Sequence, residues 1–146
     1  MNINNLIEYL KNKEQEEFLF SIKNEVLEYI ISMKKKGSSS NVYVTGSFEG
    51  LTFSNNHLIS LLLLYLDNKL LEWDLDYILN GIELCNIECE EKAEQVINIL
   101  ASSEINMPIN KEIVKTCLRY LKGELKSIDY NKQNKKKKYN YHSIFL

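Results

Sequence analysis

The side chains in this chain best suited to chemistry are carboxylates. Between residues 70 and 91, in LLEWDLDYILNGIELCNIECEE, Glu72, Asp74, Asp76, Glu83, Glu88, Glu90 and Glu91 stand among Leu and Ile, with Trp73 and Tyr77 between them. Such a cluster can be a catalytic acid–base pair, an acidic docking surface, or the wetted side of an ordinary helix. Helical geometry sorts the members. At about 100° per residue, with Glu72 at 0°, Asp76 falls near 40° and Glu83 near 20°, a ridge along one side. Leu71, Leu75, Ile78, Ile82 and Cys85 fall between roughly 220° and 300° and form a core-facing stripe. Trp73, Tyr77 and Leu84 lie near 100–140°, on a further aromatic and apolar face. General acid–base work needs carboxylates in a cleft with perturbed pKa values and a partner. A ridge on the outside of a helix supplies the opposite environment, so these acids read as a surface and not as a catalytic centre.

The other reactive types are sparse. Cys85, Cys89 and Cys117 are an odd number at spacings that match no zinc or disulfide framework, and read as reduced thiols acting as small hydrophobes. The chain has two histidines, His57 and His142, and no His-rich or Cys-X2-Cys pattern, so neither metal nor cofactor is expected. A Cys or Ser nucleophile needs a nearby base, and His57, at the start of a Leu-rich helix, has no local signature around it. TGSFEG at 45–50 lacks the Lys-Ser/Thr pair of a phosphate loop and reads as a turn. The chain is therefore read as a non-enzyme.

The elements that must carry these residues are helices. One Pro and five Gly in 146 residues leave few breaks, which argues against a β-sandwich. Leu6, Leu10, Phe18, Ile22, Val26, Tyr29, Ile30 and Met33 recur at threes and fours, with one gap across KNKEQEE. They predict one long amphipathic helix, or two with a joint near residues 11–15. Lys34–Lys36 and Gly37 suit a helix end, and Ser38–Ser40 a short link. Val42 and Val44 alternate with Tyr43 and Thr45 before Gly46, and Leu51 to Phe53 follow Gly50, so residues 41–53 form a small β-hairpin or an ordered loop. Ser54 is placed to cap a helix over about 55–67. Further helices are expected over about 70–85, 90–102 and 111–126, the last capped by Asn110. The whole is a mainly α, compact bundle of about five helices in a single domain, residues 1–129. Residues 130–146, rich in Lys and Asn, are expected to be a flexible basic tail.

Charge is segregated. Residues 67–104 hold ten acids against Lys69 and Lys92, and residues 111–138 hold ten bases against Glu112, Glu124 and Asp129. Asymmetry of this kind bears on partners rather than on fold. Lys135–Lys138 beside Tyr139 and Tyr141 could meet nucleic acid only without sequence readout, since Arg119 is the one Arg in the chain. The most apolar run, HLISLLLLYL at 57–66, is half the roughly 20 residues that a bilayer span needs. The N-terminus turns polar within ten residues, against a signal peptide. A cytoplasmic protein without membrane attachment is expected.

In LISLLLLYLDNKLLEWDLDYILNGIELC and SSEINMPINKEIVKTCLRYL the chain resembles small helical immunity proteins of bacterial polymorphic-toxin and contact-dependent inhibition systems. The resemblance covers about residues 54–122: a Leu-rich helix, an acidic Trp-bearing helix and a short closing pair. It implies an inhibitor that binds a cognate toxin domain in the cytosol and offers acids to a basic surface. The long N-terminal helix and the basic tail depart from that pattern. On this reading Glu72, Asp76 and Glu83 supply charge, Glu88, Glu90 and Glu91 extend it, and Trp73 and Tyr77 either anchor the partner, if exposed, or are core residues sandwiched between two neighbouring helices. The alternative is a nucleic-acid-associated accessory protein or antitoxin-like regulator that uses the Lys-rich tail.

Overall fold

The computed structural model describes residues 1–12, 16–34, 42–101 and 108–128. Within them the chain is mainly helical, as its spacing predicts. Six helices, α1 (Ile3–Lys11), α2 (Glu17–Lys34), α3 (Asn55–Leu66), α4 (Glu72–Leu84), α5 (Glu91–Ala101) and α6 (Lys111–Leu121), are joined by two short strands, β1 (Thr52–Phe53) and β2 (Glu88–Cys89). The N-terminal pattern is thus two helices, broken between Lys11 and Glu17 where the apolar repeat skips. The expected helix end at Lys35–Gly37, the serine link 38–40 and the basic tail 130–146 lie outside the described residues. No helix among the described residues is long and apolar enough to cross a membrane.

Helix α3 is the hub. It packs on α1, α4, α5 and α6, which is why Leu58, Leu61, Leu62 and Leu64 on different sides of it are all buried. Helices α4 and α5 form the most extensive pair, and α2 lies against α4. Local chemistry sets the ends. The Asn2 side chain accepts from Asn5 N at 3.1 Å, and Asn110 from Ile113 N at 3.0 Å, each holding one of the N–H groups that a helix start leaves open. At α4 the cap residue is Leu71, and Asp74 substitutes by accepting from Leu71 N at 2.9 Å. Helix α6 stops at Leu121, short of the expected 126, because Gly123 takes φ +82°. Its N–H donates to Tyr120 C=O and that of Glu124 to Arg119 C=O, a Schellman closure.

Residues 42–53, the described part of that stretch, do not form a hairpin. Thr45 bridges in parallel to Asn2, while Thr52 and Phe53 pair in parallel with Glu88 and Cys89. The two halves of the presumed hairpin therefore pair with different remote segments. Val42 and Val44 cross α4 at Gly81, where an added Cβ would sit 3.3 Å from Val44 Cγ2 and 3.4 Å from Val42 Cγ1. Phe53 drops fully into the core.

The cap of α3 is pH-sensitive. Ser54 Oγ accepts from His57 N at 3.1 Å, and His57 Nδ1 accepts from Ser54 N at 3.0 Å, a reciprocal box with imidazole in the usual place of Glu or Gln. Burial, then the charge of Lys11, lowers the His57 pKa against a smaller opposing pull from Glu90. A folded pKa below the unfolded value means that stability is complete above the ordinary histidine pKa of about 6.5 and is lost as pH falls below it. Melting should therefore drop between pH 7.5 and 5 more steeply in the wild type than in His57→Gln, which keeps the acceptor. Parallel curves for the two proteins would exclude this linkage.

Candidate functional site

Helix α4 carries most of the expected contact residues, and its surroundings divide them. Glu72, in its first turn, is exposed. Desolvation of its carboxyl, then the nearby charge of Asp76, raises its pKa. Glu83 is exposed about 16 Å further along the helix. Trp73 is half-buried, its ring edge-on to Tyr29 with centroids 6.1 Å apart.

Asp76 and Tyr77 are not surface residues. Asp76 is 4% exposed and Tyr77 0%. Helix α2 lies over the side of α4 that the helical projection leaves open, and it brings matched partners. Tyr29 Oη donates to Asp76 Oδ2 at 2.7 Å, and Asn80 Nδ2 donates to Asp76 Oδ1 at 3.3 Å. Tyr77 Oη donates to Glu25 Oε1 at 2.9 Å. The Met1 ammonium donates to the same carboxylate oxygen at 2.5 Å and to Tyr43 C=O at 2.6 Å. Burial, then the bond to Glu25, pushes the Tyr77 hydroxyl well above its ordinary pKa. A buried carboxylate with hydrogen-bond donors is a satisfied structural group. The expected ridge of three acids is thus corrected at its middle member, and of the two readings for Tyr77 the structure shows the core one, so it is not a surface anchor.

Glu90 is exposed but engaged. Its Oε1 accepts from Asn55 N at 3.0 Å, while Asn55 Oδ1 accepts from Ala93 N at 3.0 Å. The first turns of α3 and α5 therefore cap one another, and the adjacent Glu90 N–H donates to Phe53 C=O.

Of the acids outside these contacts, Glu83 and Glu94 flank the α4–α5 junction. A surface cavity of about 140 Å³ there is lined by Glu83, Asn86, Cys89, Glu94 and Asn98 over an apolar floor that includes Ile82. Asn86 sits at φ +53° just past the end of α4, a conformation Asn tolerates better than most residues. Glu88 on β2 and Glu91 at the start of α5 are exposed beside this cleft in sequence. Glu72, Glu83, Glu88, Glu91 and Glu94 form no ion pair with a described residue. Lys92, the only cation between residues 70 and 101, is drawn away. Its Nζ donates to Tyr120 C=O at 3.4 Å and stands 5.1 Å from the centre of the Tyr120 ring. Glu94 is a further cleft residue that the spacing along α4 does not reveal; its signal is its place in the first turn of α5, opposite the end of α4.

Chemistry at the cleft is limited. The Cys89 thiol is pushed up to about 11, by burial first and then by Glu94 and Cys85. The Cys85 thiol is raised, mainly by burial. Both are protonated at neutral pH and so poor nucleophiles. Among the described residues no three His, Cys, Asp or Glu side chains stand together as metal ligands would. A larger cavity, about 270 Å³, lies between α1 and α2, lined by Asn5, Glu8, Tyr9, Glu17, Phe18 and Ser21. Its Tyr9 hydroxyl is raised by burial and then by Glu16 and Asp74, so it stays a neutral donor. No protein-family model matches the chain, and neither does any curated protein or solved structure.

Proposed function

We propose that this protein is an immunity-type inhibitor that binds a cognate bacterial toxin domain through the acidic cleft between α4 and α5. The observation that carries the reading is the uncompensated charge there. Glu83, Glu88, Glu91 and Glu94 face solvent without a described cationic partner, and Lys92 is committed to Tyr120. A field of one sign around a cleft with an apolar floor steers and orients a basic protein. The contact set differs from the sequence expectation, and Glu72 and the half-buried Trp73, in the first turn of α4, lie outside the cleft. Glu83, Glu88 and Glu91 stay, Glu94 joins them, Asp76 and Tyr77 leave, and Glu90 belongs to the α3–α5 clasp.

The test is a triple charge reversal, Glu83→Lys with Glu88→Lys and Glu94→Lys. All three side chains are exposed, so cooperative melting should persist. Association with a basic toxin domain encoded beside the protein should slow at least about tenfold at low salt, and less so as salt screens the field. Protection of cells that express the toxin should be lost in parallel. Undiminished protection by the triple variant would remove this surface from the mechanism.

A further inference from the structure

The cavity of about 270 Å³ between α1 and α2 is no part of the α4–α5 cleft, and helical spacing builds it. Asn5, Glu8 and Tyr9 share one face of α1, and Glu17, Phe18 and Ser21 share one face of α2. Between the helices the rings of Tyr9 and Phe18 stack, with centres 5.5 Å apart and planes inclined at 26°.

Tyr9 is the group in this wall that the fold leaves unsatisfied. The hydroxyls of Tyr29, Tyr77 and Tyr120 donate to Asp76, Glu25 and Gln95. Tyr9 is only 3% exposed, yet its hydroxyl makes no hydrogen bond among the described residues. Enclosing a hydroxyl without a partner costs free energy that a bond to a ligand recovers.

The rest of the wall selects the ligand. Glu8 and Glu17 bring a carboxylate from each helix, and no described cation lines the cavity. Glu16 and Asp74 add negative field at the Tyr9 hydroxyl. Lys11 stands 3.7 Å from Glu8, but both side chains are exposed, so that pairing is weak and easily exchanged. Ser21 Oγ has already donated its proton to Phe18 C=O at 2.6 Å, which leaves lone pairs. Negative charge and an excess of acceptors beside aromatic rings suit a group that carries only N–H donors.

We propose that this cavity binds a small aliphatic cation with an ammonium or guanidinium head, its N–H groups shared among Glu8, Glu17 and the Tyr9 hydroxyl, and its carbon stem against Phe18. The bound cation ties α1 to α2 across the break in the apolar repeat. The site stands independently of the proposed inhibitor role, because the two share no residue.

Titration calorimetry of the full chain with agmatine, which carries one head of each kind, tests it. One equivalent should bind with a Kd below about 1 mM, and the melting temperature should rise with agmatine concentration. Tyr9→Phe keeps the stacked ring and removes only the unpaired hydroxyl. The free variant should therefore melt no lower than the wild type, while its affinity falls at least about fivefold. Glu17→Gln should weaken binding at least about tenfold. Agmatine bound more tightly than an end-blocked arginine peptide identifies a free amine as the source of the cation. The reverse order identifies a basic chain segment, held by the same chemistry. Absence of agmatine binding at about 10 mM would overturn the site. So would affinity indifferent to Tyr9→Phe, a Tyr9→Phe protein that melts lower, or equal displacement by Mg²⁺ at matched ionic strength.

Discussion

Asp76→Lys is expected to cost on the order of 4 kcal/mol or more, enough to unfold much of a marginally stable domain. Glu72→Lys, one turn earlier on the same side of α4, should change stability by less than about 0.5 kcal/mol. Both replace an acid by a cation, so the contrast isolates burial. Asp76 is enclosed between α2 and α4 and accepts from Tyr29 and Asn80, whereas Glu72 faces water. A lysine at 76 would bury a cation against hydroxyl and amide donors that were aimed at a carboxylate. Asp76→Asn, which keeps a side-chain oxygen for Tyr29, should lose much less than Asp76→Lys. Equilibrium urea denaturation of the three variants decides the matter, and equal midpoints for Asp76→Lys and Glu72→Lys would show that residue 76 is not enclosed. The contrast also governs how the acidic surface is probed. A loss of binding in Asp76→Lys would report unfolding, so the surface must be tested at the exposed glutamates.

The helical projection that grouped Glu72, Asp76 and Glu83 was sound as geometry, because all three do lie on one side of α4. What it cannot contain is the neighbour on that side. Tyr29 lies 47 residues from Asp76 and Glu25 lies 52 from Tyr77, and no local period encodes either pairing. Where the signal is local, the sequence was legible. Ser54 and Asn110 cap the helices they precede, the Leu-rich run is the central helix, and the skipped repeat after Lys11 marks a break. Where pairing is remote, legibility failed. Of the alternating Val42, Tyr43, Val44 and Thr45, Thr45 bridges to Asn2, and the partner of Thr52–Phe53 is Glu88–Cys89. The acidic site was half legible for the same reason. Charge density gave the segment, while burial by α2 and the clasp at Glu90 decided which of its acids are free.

Phe53→Ala should destabilise the protein by about 3–5 kcal/mol, the range for emptying a large, well-packed aromatic site. Phe53 is fully buried, with its ring centre 5.4 Å from that of His57. Its position concentrates the effect. Its carbonyl accepts from Glu90 N at 3.1 Å, its strand partner is Cys89, and one residue on begins the Ser54–His57 cap. Asn55 then completes the clasp to α5 through Glu90 and Ala93. Truncating the ring loosens the joint that sets β2 and the start of α5 against α3. Phe53→Leu refills part of the volume and should recover much of the loss. Amide hydrogen exchange distinguishes this from a uniform loss of core packing. In Phe53→Ala the N–H groups of Glu90 and Ala93 should lose protection well before those of α6, which packs on the far end of the joint through α3 and α5. Uniform loss across both regions would mean that Phe53 serves the core alone. Selective loss would mean that one aromatic side chain holds in place the backbone that carries the exposed Glu88, Glu91 and Glu94.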